Sequence, residues 1–195
     1  IMILIIDLTN PDIPVLIDEF VSPISRIVHL YGQKTHIVRI ESGPADPSCT
    51  GIIICGTALA DTWYRSHSLM PLLNGWKGPV FGICAGMQML LLETGGEMVP
   101  LTEIGMIPIR PTEMGSIDIL LNGKDEFSGY ALHQYTTTLS SQWIPLAVSD
   151  ATVQVVKHCQ NPWYGVLFHP EVRNDWMIER FVALALSSQK SPDES

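Results

Sequence analysis

The sequence predicts an α/β fold: a mostly parallel central sheet flanked by helices, with an antiparallel strand excursion in the second half. Two observations carry this. Through the first half, short continuous apolar runs alternate with helix-patterned segments, the mark of parallel strands covered on both faces. In the second half, strand-like runs follow one another directly, separated by turn residues such as Asn122-Gly123 and Asn161-Pro162, which favours hairpins.

Met2–Leu8 is a continuous apolar run and reads as a buried strand. Ser22-Pro23 reads as a helix cap followed by proline at the first helical position. Ile24, Ile27, Val28 and Tyr31 then fall on one helical face, and Gly32 stops the helix. His36–Ile40 and Gly51–Cys55 are the next strands, Ser66–Leu73 a short helix, and Pro79–Ile83 a fourth strand. Ala85–Thr94 is a helix ended by Gly95-Gly96. Ile104–Arg110, Ser116–Leu121, Tyr130–Thr138, Thr152–Lys157 and Trp163–Phe168 all have strand character. Asp175–Leu186 is a final helix with Met177, Phe181, Leu184 and Ala185 on one face.

Composition bounds the function. A chain of 195 residues fits one domain, expected over residues 2–187, with a polar tail over 188–195 expected to be disordered. The chain is 46% hydrophobic and 16% charged, the opposite bias from a disordered protein. Its net charge of −9 argues against nucleic acid or an anionic membrane as partner. No apolar run approaches the roughly 18 residues of a membrane span, and Ile1–Ile6 lacks the basic lead-in of a signal peptide. Cys49, Cys55, Cys84 and Cys159 form no CxxC pair and no zinc-like spacing. Free thiols in a reducing cytoplasm are expected, with no metal and no cofactor.

One cysteine has company. Gly82-Ile83-Cys84-Ala85-Gly86 lies where a strand meets a helix, the G-x-nucleophile-x-G pattern of a nucleophile elbow. The turn exposes the nucleophile, and Gly82 and Gly86 let strand and helix backbones approach closely. The helix N-terminus favours a thiolate, and the Ala85 amide can donate to an oxyanion. A thiol nucleophile benefits from a base, and the base from an orienting group. In an extended chain His169 and Glu171 share a face, so Glu171 can hold the imidazole. His29, His36, His67, His133 and His158 lack such a carboxylate two residues on.

Together these residues resemble the class I glutamine amidotransferases, the Cys-His-Glu glutaminases. GICAGMQ at Gly82–Gln88 and GVLFHPEV at Gly165–Val172 are similar to the family's two signature segments in order and separation. The resemblance implies a flavodoxin-like class I glutaminase fold. It implies that Cys84 attacks L-glutamine to form a γ-glutamyl thioester, that His169 moves the proton and that Glu171 orients His169. Thr57 and Ala85 would supply the oxyanion amides. Gln88 would help hold the substrate, and His133, Gln134 and Tyr135 match the family's second substrate segment more loosely.

One segment departs from the family. Its loop after the third strand is usually glycine-rich, whereas this chain reads Cys55-Gly56-Thr57-Ala58-Leu59. A β-branched Thr57 resists positive φ, so the oxyanion hole is expected to form by another backbone conformation, or only with a partner. Such glutaminases pass ammonia to a synthetase, expected here on another chain that meets the mouth above Cys84. His-Pro-Glu-Val at His169–Val172 is similar to the glutaminase subunit of two-subunit GMP synthase. Gly86-Met87-Gln88 is closer to that of imidazole glycerol phosphate synthase. A stand-alone γ-glutamyl hydrolase and a non-catalytic regulatory relative complete the alternatives; the GMP-synthase-like reading is preferred.

Overall fold

A computed structural model describes residues 2–188; the expected disorder of the tail falls, from residue 189 on, outside the described residues. The chain runs β1 (Met2–Asp7), α1 (Ser22–Leu30), β2 (Lys34–Arg39), β3 (Gly51–Ile54), α2 (Met70–Leu73), β4 (Val80–Ile83) and α3 (Ala85–Glu93). It continues β5 (Met98–Pro111), α4 (Glu113–Ile117), β6 (Phe127–Thr137), β7 (Trp143–Val148), β8 (Val153–His158), β9 (Trp163–Val166), α5 (Pro170–Arg173) and α6 (Asp175–Ser187).

Among the described residues nine strands form one mixed sheet, ordered β2-β1-β3-β4-β9-β8-β7-β5-β6. The first five are parallel neighbours and the remainder pair antiparallel. This is the α/β architecture expected, with the antiparallel excursion where the hairpin signals lay. Ile3–Ile6 and Ile52–Ile54 are fully buried because helices cover both faces. Phe81 stacks on Phe181 of α6 at 5.2 Å. Its neighbour Gly82 faces α3 instead, where an added Cβ would come within 2.7 Å of the Gly86 backbone. Alternation along β4 therefore puts α6 and α3 on opposite faces. Gly86 is tighter still, since its Cβ would fall 2.4 Å from the Ile54 carbonyl oxygen. Both elbow glycines are required by close backbone approach.

Several local expectations are corrected. Ser116–Leu121 is no strand: Thr112 accepts a hydrogen bond from the Gly115 amide at 3.1 Å and caps α4, and a turn follows. β7 was not anticipated because Pro145 interrupts its apolar run; a register shift beside Pro145 absorbs the missing donor. β5 is far longer than Ile104–Arg110 and carries a register shift between Pro100 and Glu103. Ser66–Leu73 divides into a 3-10 turn at Trp63–Ser66 and α2. Ser22 makes no side-chain cap, because a π-helical turn at Ile17–Val21 leads straight into α1.

Candidate active site

Cys84 occupies the junction of β4 and α3, with φ 49° and ψ −105°. It is the non-glycine residue with positive φ among the described residues. Such a conformation costs of order 1–3 kcal/mol and persists only where neighbours over-determine it. Here the Cys84 amide donates to the Val166 carbonyl at 2.7 Å, and its own carbonyl accepts from Gln88 at 3.0 Å. The strand-to-helix turn thus lifts the thiol to the carboxyl end of the parallel strands, beside the Leu132 carbonyl at 3.8 Å.

His169 follows β9, and its amide donates to the Tyr130 carbonyl at 2.8 Å. Its Nδ1 donates to Glu171 Oε1 at 2.8 Å, with both side chains almost wholly buried. The pairing is the one expected, but not its conformation. Pro170 begins α5, so Glu171 reaches back from a first helical turn rather than along an extended chain. Phe20 of the π-helical turn packs on the imidazole, with ring centroids 5.6 Å apart. Nε2 is buried and makes no hydrogen bond among the described residues. Burial opposes charge on this ring, but the Glu171 carboxylate and the Cys84 sulfur outweigh it and hold the imidazolium well above the usual histidine range.

Gly56 places these groups together. A Cβ there would lie 2.6 Å from His169 Cε1 and 3.3 Å from Cys84 Cβ, so both side chains close on the same backbone. The following residue, Thr57, has no positive φ, in keeping with the resistance of a β-branched residue to that conformation. Its hydroxyl donates to Asp61 Oδ2, which also accepts from the Asn10 amide at 2.8 Å, while Oδ1 accepts from Trp63 at 3.0 Å. Side-chain hydrogen bonds hold the loop. Thr57 and Ala85 line one cleft with Cys84, and their amides donate to no acceptor among the described residues. Unpaired amides of this kind suit a developing oxyanion.

The cleft is lined by the expected Gln88, His133, Gln134 and Tyr135 together with Tyr64 and Arg65. Gln88 is buried and ties the walls: Nε2 donates to the Tyr135 carbonyl at 2.8 Å, and Oε1 accepts from Tyr64 at 3.0 Å. His133 offers only carbon surface to the cleft, because its ring nitrogens face Leu101 O at 3.2 Å and Glu103 Oε2 at 3.1 Å. Gln134 is exposed at the rim. Cys55 lies outside this chemistry. It is fully buried, accepts from the Leu8 amide at 3.3 Å, and burial pushes its thiol far up. Gly56, Tyr64, Arg65 and Phe20 were missed in the sequence. No local motif marks them; they reach the site through the third parallel strand, the 3-10 turn and the π-helical turn. Away from the cleft, donor atoms of His36, Asp46 and Cys49 lie within 4.8 Å of one another, a group compact enough for a metal ion that no spacing rule had suggested.

A family model described as glutamine amidotransferase class-I matches residues 15–183. The arginine-specific small chain of carbamoyl phosphate synthase from Schizosaccharomyces pombe is 28% identical over 162 residues, covering 78% of this chain and 35% of that protein. A glutamine-hydrolysing GMP synthase from Francisella philomiragia is 35% identical over 131 residues, covering 65% of this chain and 25% of that one. The chain therefore spans about a quarter to a third of these relatives' lengths. A crystal structure described as that of a putative GMP synthase subunit from Thermoplasma acidophilum superposes with a TM-score of 0.82 at 20% identity, over 96% of this chain and 95% of that one.

Proposed function

The chain belongs to the class I glutamine amidotransferase family, and from that premise we propose that it hydrolyses L-glutamine and delivers the ammonia to a synthetase. The observation that carries this reading is Cys84 at a cleft also lined by Thr57 and Ala85, with the buried His169–Glu171 pair packed beside it against Gly56. Cys84 Sγ, as thiolate, adds to the carboxamide carbon, and the oxyanion is held by the Thr57 and Ala85 amides. His169 Nε2 gives its proton to the departing nitrogen, so ammonia leaves and the γ-glutamyl thioester remains. Water adds to the thioester as Nε2 takes its proton, and glutamate is released as the thiol re-forms.

For the acceptor we favour a GMP-synthase-type partner, supported by His-Pro-Glu-Val at His169–Val172 and by the high coverage in both directions against the Thermoplasma structure. A carbamoyl-phosphate-synthase-type partner is the second reading, favoured by the long alignment with the Schizosaccharomyces small chain. The test is glutamate and ammonia release from glutamine by wild type and Cys84→Ala. Release that survives Cys84→Ala overturns the catalytic reading. Copurification of the intact protein with its synthetase, followed by assay for GMP or carbamoyl phosphate, decides between the partners.

A further inference from the structure

Arg65 stands at the rim of the cleft whose wall holds Cys84, and its guanidinium lies over the Tyr135 ring, 4.5 Å from the centroid. Its Nε donates to the Tyr64 hydroxyl at 3.4 Å. That hydroxyl in turn donates to Gln88 Oε1, one turn beyond the nucleophile. Arg65 forms no ion pair among the described residues, although acidic residues outnumber basic ones 20 to 11. The carboxylate nearest in the lining, Asp61, is already engaged by Thr57, Asn10 and Trp63.

An arginine held over an aromatic ring has lost much of its freedom and keeps its terminal N–H groups for a planar anion. A substrate whose carboxamide is at Cys84 carries its α-carboxylate at the opposite end, towards the rim. We propose that Arg65 is the specificity determinant of this cleft, binding the α-carboxylate of the amide substrate and so selecting α-amino-acid amides over simple amides. The inference rests on the glutaminase reading of the cleft. Tyr64 and Tyr135 are the positioning residues: one takes a hydrogen bond from the guanidinium, the other forms the platform beneath it.

The test uses two amides that share the reacting end: glutamine and 4-aminobutanamide, which lacks the α-carboxylate. Calorimetric binding is measured on Cys84→Ala and on Cys84→Ala/Arg65→Gln, and ammonia release on wild type and Arg65→Gln. Loss of one charge-assisted contact should weaken glutamine binding about 10- to 100-fold. Binding of 4-aminobutanamide should not change. In turnover the loss should appear chiefly in KM, and Arg65→Lys should recover part of it. Equal weakening for both amides would mean that Arg65 merely supports the cleft wall, and would overturn the proposal. So would a Cys84→Ala protein that binds glutamine no tighter than 4-aminobutanamide. Intact discrimination in binding without ammonia release from wild type would instead count against the glutaminase reading and leave Arg65 as the carboxylate site.

Discussion

Nε2 of His133 faces Oε2 of Glu103 at 3.1 Å, while Nδ1 of the same ring faces a carbonyl oxygen, that of Leu101, at 3.2 Å. Both partners are acceptors, so the buried pair holds one proton along the Nε2–Oε2 line. Burial pulls the imidazolium down and Glu103 opposes it. Glu103 also accepts from Ser149 at 2.8 Å and Gln154 at 2.6 Å, joining β5, β6 and β8 behind the cleft. Glu103→Ala strands three polar partners and should destabilise the protein by about 1–3 kcal/mol in urea unfolding. Glu103→Gln, which keeps an acceptor and adds a donor, should restore most of that loss. Equal stability of all three proteins would remove the network's structural role.

The His169–Glu171 pair sets the pH dependence. The carboxylate raises the His169 pKa, so the imidazolium that in the proposed reaction protonates the departing nitrogen persists above the usual histidine range and is lost as pH rises through the raised value. Replacing Glu171 by Gln removes a raising influence. The alkaline limb of kcat/KM should therefore move to lower pH in Glu171→Gln, as read from pH–rate profiles of the two proteins. A limb that stays in place would show that another group titrates there.

Gly56→Ala tests the packing against His169. The new methyl would lie 2.6 Å from Cε1 of a ring already held by Glu171 and Phe20, so the ring must shift. A displacement approaching 1 Å can cost about 100-fold in rate. We expect a loss of that order in kcat, with the far-UV spectrum of the wild type retained.

Asp61 is expected to matter through Thr57. Asp61→Ala releases the Thr57 hydroxyl and the Asn10 and Trp63 amides together. The loop then holds the Thr57 amide less well, and kcat should fall about 10- to 100-fold, short of or near the loss of a whole oxyanion donor. Asp61→Asn keeps an acceptor and should fall less. Unchanged kcat in Asp61→Ala would detach this loop from catalysis.

Wherever the chemistry is written in neighbouring residues, the sequence was legible. Gly82, Cys84 and Gly86 form one turn, and His169 and Glu171 are separated by a single proline, so backbone geometry alone brings each group together. The same locality explains the alternating first half of the fold. It fails for Ser116–Leu121, where one cap outweighs a strand-like pattern, and for β7, where a proline masks a strand that its neighbours complete.

By itself, then, the sequence determined the class of fold, the strand-to-helix turn at Cys84 and the pairing of His169 with Glu171, because each depends on backbone conformation within a few residues. Tertiary structure alone decided that Gly56 clasps the imidazole, that Asp61 orders the Thr57 loop, that His133 turns its nitrogens to Leu101 and Glu103, and that Arg65 stands over Tyr135. The reason is physical: these contacts join residues on separate strands and turns. They exist only after the buried parallel strands have aligned their carboxyl ends around one cleft.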